Sequence, residues 1–203
     1  MIAIITGDVI NSSDNHPSHW LSALKTVFNR IGKSPGVWEI YRGDSFQLMV
    51  KDPVQALTRA IEIKATVKTL PGMDVRMAIG LGEMTYQASR ITESNGTAFI
   101  HSGEKFERLK KEKQNLALQS DWDDFDREMN LLLKLGLIAM DNWTENAAEI
   151  MSMVLENAAV SQETLGSMLH IRQSAVSRRL KRAYYDEIMA LAEWYQTRIN
   201  MLL

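Results

Sequence analysis

The chain has 203 residues, of which 45% are hydrophobic and 24% charged, with 4 prolines, 11 glycines and no cysteine; this excludes disorder, a disulfide framework and any site built on thiolates. A net charge of −2 conceals an asymmetry: residues 1–120 carry 15 Lys+Arg against 12 Asp+Glu, and residues 121–203 carry 8 against 13. Five of those eight basic residues fall between Arg172 and Arg182, and a basic cluster inside an acidic segment points to a directed anion-binding face.

The first element is the apolar run Ile2–Thr6, a buried strand that ends at Gly7-Asp8. The opening MIAIITGDVI has no basic region and reaches Asp8 too early for a signal peptide. No apolar stretch approaches the roughly 20 residues that span a bilayer, so the expectation is a cytoplasmic protein without a membrane partner. After the polar loop 11–19, Trp20, Leu24, Val27, Phe28 and Ile31 recur at helical spacing until Gly32. Trp38–Asp44 and Ser45–Val50 read as two strands joined at Gly43-Asp44, a hairpin signal. Asp52-Pro53 opens a helix carrying Val54, Leu57, Ile61 and Ala65, which stops at Pro71-Gly72. A strand over Val75–Leu81, a helix over Phe99–Lys111 and a strand over Asn115–Gln119 complete the order β-α-β-β-α-β-α-β. That order predicts an α+β fold: a ferredoxin-like or palm sheet (βαββαβ) with its helices on one face.

The acidic string at 120–126 marks a change of composition, and everything after it reads as helix. The expected division is a palm over residues 1–120 and an all-α helix-turn-helix domain over residues 121–203. Helices are predicted over 124–135, 143–157, 161–169 and 173–201, with a break near Tyr184. In the last of these Ile188, Leu191, Trp194, Tyr195, Ile199 and Leu202 follow helical intervals, as a core face or a homodimer contact.

Within SQETLGSMLHIRQSAVSRRLKRA, Ser161 is an N-cap, Gly166–Ile171 is read as a short turn and Gln173-Ser174 as a second cap. Leu165, Leu169, Ile171, Val176 and Leu180 face inward, which is helix-turn-helix spacing. Arg172 opens the basic run; Gln173, Ser174, Ser177 and Arg178 are placed to read base edges, and Arg179, Lys181 and Arg182 to meet phosphates, making DNA the expected partner. The competing reading is a solvated basic face on an ordinary helical pair.

In the N-terminal half, Asp8 and Asp44 each follow a glycine, and on this strand order the two carboxylates converge at one sheet edge. Such a pair can hold one or two Mg²⁺ ions, and through them a triphosphate, with the glycines admitting phosphate close to the backbone. Each Gly-Asp taken singly is an ordinary turn. Gly80-Leu81-Gly82 begins a GxGxxG pattern, but residue 85 is Thr and the segment continues as strand, against a dinucleotide site. His16 and His19 read as solvated loop histidines, and Arg76 and Glu83 as salt-bridge formers.

The strings ITGDVINS (5–12), RGDSFQ (42–47), VRMAIGLGEM (75–84) and SNGTAFIHSGEKFERLKK (94–111), followed by QSAVSRRLKRA, resemble the SatD family over nearly the whole chain. The N-terminal part is similar to the palm of class III nucleotidyl cyclases and GGDEF diguanylate cyclases. That resemblance implies Asp8 and Asp44 as metal-holding acids, with the Val9 backbone carbonyl as a third ligand. The chain departs from the pattern at Ser45, where GGDEF proteins carry an acid, and at His101 and Lys105, which stand where cyclases have an Asn and an Arg and are read as phosphate-binding. Three functions follow as expectations: a DNA-binding regulator whose palm takes a nucleotide or phosphorylated ligand; a Mg²⁺-dependent nucleotidyl cyclase or nucleotidyltransferase; or a palm serving as a non-catalytic dimerisation scaffold.

Overall fold

A computed structural model describes residues 1–14, 16–157 and 159–203, the side chain of Asp14 excepted. Five strands, β1 (Ile2–Ile10), β2 (Trp38–Tyr41), β3 (Ser45–Val50), β4 (Asp74–Gly82) and β5 (Leu116–Gln119), form one sheet in the order β2-β3-β1-β4-β5. β1 runs antiparallel to both β3 and β4, and β4–β5 is the parallel pair. A parallel pair needs a crossover, supplied here by α3 (Thr97–Glu112). Helices α1 (Pro17–Ile31) and α2 (Ala56–Lys68) connect the earlier strands. Helix α1 starts inside the expected polar loop, with His16 as its N-cap; Asn15 of that loop lies outside the described residues.

The expectation of helices on one face is corrected. Ala3, Ile5 and Val9 pack with Leu24, Phe28 and Leu57 of α1 and α2, whereas Ile4 packs with Ala98 and Phe99 of α3 on the opposite face. The reason lies in strand geometry: successive side chains alternate between faces, so a strand apolar at both parities must be covered on both sides. Gly80 and Gly82 let α3 lie close. A Cβ on Gly80 would stand 2.2 Å from the Ala98 carbonyl oxygen, and one on Gly82 2.3 Å from Thr97 Oγ1. The glycines of the partial GxGxxG thus serve helix-on-strand packing.

Beyond β5 come α4 (Asp123–Met140), α5 (Glu145–Glu156), α6 (Gln162–Met168), α7 (Gln173–Arg182) and α8 (Tyr185–Leu202). The break expected near Tyr184 is present, and that residue takes a left-handed conformation at φ 55°. One hydrophobic core runs from Phe28 and Leu57 under the sheet to Phe125, Ile150 and Tyr195, so the change of architecture near residue 120 does not interrupt the core. Polar groups fasten the same junction. Arg30 donates from Nη2 to Glu62 at 2.7 Å and from Nη1 to Glu156 at 2.8 Å, tying α1 to α2 and α5. The fully buried Lys64 ammonium lies 2.6 Å from a carboxylate oxygen of both Asp74 and Asp141, so a buried cation is balanced by two acids. The Tyr195 hydroxyl donates to the Pro53 carbonyl at 2.8 Å, and burial pushes that phenol well above its ordinary pKa.

Candidate functional site

Two places carry the residues singled out by sequence. The first is the α6–α7 pair, two short helices joined by residues 169–172. Ser161 Oγ accepts from Thr164 N at 3.2 Å and caps α6 as expected. Gly166 lies inside α6, and the turn follows it, with His170 in the left-handed region at φ 54°. A Cβ on residue 166 would stand 2.8 Å from the Ile171 carbonyl oxygen, so the glycine is what brings helix and turn together. The cap of α7 is Arg172, without a side-chain bond, where Gln173-Ser174 was expected. Gln173 instead reaches Gln162 across the first turns of the two helices, Nε2 to Oε1 at 2.9 Å. Leu165, Val176 and Leu180 are buried, while Arg172, Gln173, Ser174, Ser177, Arg178, Lys181 and Arg182 are exposed. Arg179 differs from its neighbours: its Nη1 donates to Glu149 of α5 at 2.6 Å. Among the described residues no carboxylate pairs with Arg172, Arg178, Lys181 or Arg182, which leaves four free cations along α7 and its N-cap.

The second place is the end of the sheet where β1 meets the β2–β3 hairpin. Asp8 stands opposite Ser45 on one side and Arg76 on the other. Val9 N donates to the Asp44 carbonyl at 3.3 Å, so Asp8 and Asp44 share one end of the sheet. Each carboxylate is already engaged. Arg76 grips Asp8 bidentately, Nε to Oδ1 at 3.2 Å and Nη2 to Oδ2 at 2.9 Å, with the two side chains 18% and 26% exposed. Ser12 Oγ donates to Asp44 Oδ2 at 2.6 Å. The glycines also separate in role. Gly43 has φ +92° with open space where a Cβ would be, as the turn requires. A Cβ on Gly7 would meet the Phe46 ring at 2.5 Å and the Arg76 carbonyl oxygen at 2.8 Å, so Gly7 accommodates the core and leaves no room for phosphate on that side.

The expected phosphate-binding pair lies elsewhere. His101 Nδ1 donates to the Leu81 carbonyl at 2.6 Å, with Nε2 3.5 Å from Asp121. Leu81 is five residues from Arg76 along β4, roughly 17 Å at strand rise, so His101 belongs to the other end of the sheet. Lys105 Nζ pairs with Glu112 at 2.9 Å. Glu83 bonds the Met1 amino group at 3.1 Å, as a salt-bridge former should.

The family model for the SatD family matches residues 1–187. The chain belongs to the SatD family. The matched span takes in the whole sheet, the Asp8–Arg76 pair and both helices of the α6–α7 pair. No curated protein and no solved structure matches the chain. No helix of this SatD-family chain is long and apolar enough to cross a membrane among the described residues.

Among those residues no three His, Cys, Asp or Glu side chains gather as a metal-binding group. With both Asp8 oxygens on a guanidinium, the donor set reduces to the Asp44 carboxylate and the Val9 carbonyl, which does not fit a resident Mg²⁺ in this conformation. The residue that sequence reasoning placed too loosely is Arg76: reading it as a salt-bridge former was right, but naming Asp8 as its partner needs the β1–β4 register, which no local motif encodes. Ser12 was missed for the same reason, since it lies 32 residues from Asp44 in sequence.

Proposed function

We propose that this SatD-family protein is a DNA-binding regulator in which α6–α7 acts as a helix-turn-helix and the N-terminal sheet, read as a cyclase-like palm, takes a nucleotide or other phosphorylated ligand. The observation that carries the DNA reading is the exposed, unpaired set Arg178, Lys181 and Arg182 on one short helix with Arg172 at its cap, beside exposed Gln173, Ser174 and Ser177 at its N-terminal end. Cations there suit phosphates, and short polar side chains at the start of a recognition helix suit base edges. Four neutralised phosphates give a log K against log salt slope of about −3.6 on duplex DNA. Anisotropy titrations of a labelled duplex at several salt concentrations test this, with Lys181→Ala reducing the slope by about 0.9.

The strand order β2-β3-β1-β4, with β1 antiparallel to both neighbours, supports the palm reading. Between sensor and cyclase, the sensor is favoured by the bidentate Asp8–Arg76 pair and by Ser45 standing where a second acid belongs. A phosphate arriving at this edge would compete with Asp8 for a guanidinium that is 18% exposed. The palm and α7 have a physical link: Lys64 of α2 is ion-paired with Asp141 after α4, and two residues on Trp143 Nε1 donates to the Ala183 carbonyl at the α7–α8 break. A ligand that binds one arrangement of this link more tightly shifts the population of α7 positions. Thermal unfolding with ATP, GTP and their cyclic products, with and without Mg²⁺, tests the sensor. At 100 times Kd a ligand stabilises by about 2.7 kcal/mol, and Arg76→Ala abolishes the shift; no shift with any of them removes this half of the proposal.

A further inference from the structure

Helices α4 and α8 pack against each other with their outer sides uncovered. Between them runs an apolar groove of about 650 Å³, lined by Leu135, Ile138, Tyr184, Leu191 and Trp194 with Glu187 on its wall. Trp194 is 44% exposed, Tyr184 53%, Leu135 56% and Ile138 68%, and Leu131 and Met201 extend the two stripes at 60% and 69%. These six side chains alone present roughly 500–700 Å² of apolar surface, at the upper end of the largest patch a monomer ordinarily carries and approaching the 800 Å² or so per partner of a stable complex.

The order of residues along α8 says what covers this face. Tyr184, Glu187, Leu191, Trp194, Arg198 and Met201 follow one another at alternating intervals of three and four, the spacing of a coiled-coil seam. Their neighbours Ile188, Ala192, Tyr195 and Ile199 point into the protein's own core; of the first set Tyr184, Glu187, Trp194 and Met201 are exposed, while Leu191 and Arg198 are half-buried beside α4. That face is complementary to itself when reversed. An antiparallel copy centred between residues 192 and 193 sets Leu191 against Trp194, Tyr184 against Met201 and Glu187 against Arg198. Glu187 is exposed and has no ion-pair partner among the described residues. Arg198 already holds Glu128 at 2.8 Å but is still 24% exposed, with donors left on its fork.

We propose that the α4–α8 face is the interface of a twofold homodimer in which α8 packs antiparallel on α8 of a second copy, registered by reciprocal Glu187–Arg198 ion pairs. An isologous contact requires this kind of self-complementarity, in which residue i meets j and j meets i. The resulting four-helix layer joins two α4–α8 pairs, each antiparallel within one copy. Because α7 leads directly into α8, the two α7 helices take a fixed relation across the axis. The inference goes beyond the DNA reading and stands without it.

The test is sedimentation equilibrium of the full chain and variants from about 0.1 to 100 µM, a range spanning weak to firm association, with far-UV circular dichroism confirming folding. The wild type is expected as a dimer. Glu187→Lys places like charges at both symmetry-related contacts, and so does Arg198→Glu, each weakening association at least about tenfold. An equimolar mixture of the two variants restores it to within a few-fold of wild type, because every 187–198 contact again joins opposite charges. Restoration in the mixture also shows that neither variant failed through misfolding. Trp194→Ala, at the centre of the interface, costs about thirtyfold or more. A wild-type monomer at the highest concentration, a dimer indifferent to all three substitutions, or a mixture no stronger than its components overturns the proposal.

Discussion

The Asp8–Arg76 pair decides whether the sheet edge is structural or a waiting metal site, and a double-mutant cycle with Asp8→Asn and Arg76→Gln measures it. Two charge-assisted hydrogen bonds at 3.2 and 2.9 Å join side chains that are about a quarter and a fifth exposed. A charged hydrogen bond contributes about 1.5–3 kcal/mol, which partial solvent exposure reduces to about 1–2 kcal/mol for the pair. Each single variant is expected to lose about that much, and the double variant little more than either one, giving a coupling energy of about 1 kcal/mol. In a chain of this size the loss lowers Tm by about 2–8 °C. Urea unfolding at pH 7 supplies the free energies. An Asp8→Asn variant as stable as wild type, with zero coupling to Arg76, refutes the reasoning and returns Asp8 to the role of a free metal ligand.

The packing of α3 on β4 gives a second prediction: Gly80→Ala forces a methyl against backbone atoms at 2.2 and 2.3 Å, and destabilises by about 3 kcal/mol, the upper end of overpacking, as read in chemical denaturation. Removing the partner of Arg179 frees a fifth cation on α7, so Glu149→Ala should steepen the salt slope of DNA binding by about 0.9. Hydrogen bonds from Arg198 and Trp194 hold the Glu128 carboxyl below its ordinary value of 4.5. Its stabilising contribution is therefore complete above about pH 4.5 and lost as pH falls through the lowered value. Urea midpoints measured at neutral pH and in acid should drop less for Glu128→Gln than for wild type.

Much of the fold was legible because its signals are local. The helical spacing of Trp20, Leu24, Val27 and Phe28, the stop at Gly32 and the positive-φ glycine at 43 each mark an element by the chemistry of adjacent residues. The break at Tyr184 was read in the same way. What local signals do not encode is which face an element covers. The run Ile2–Ile5 has no polar alternation, and that pattern meant two covered faces; the βαββαβ order alone did not say that the helix after β4 lies opposite the first two. The candidate site divided along the same line. The exposed α7 residues follow from helical periodicity, whereas the Asp8–Arg76, Ser12–Asp44 and Arg179–Glu149 partnerships each depend on strand register or on helices brought together from 30 or more residues apart.

The central claim is that the unpaired cations of α7 face a polyanion. Its most direct test is the salt dependence of binding to a labelled duplex, comparing wild type with a variant carrying Arg172→Ala, Arg178→Ala, Lys181→Ala and Arg182→Ala together. The account predicts a slope of about −3.6 per chain for the wild type, nearly abolished in the variant, with both folded alike. A wild-type slope near zero, or one the four substitutions leave unchanged, contradicts it.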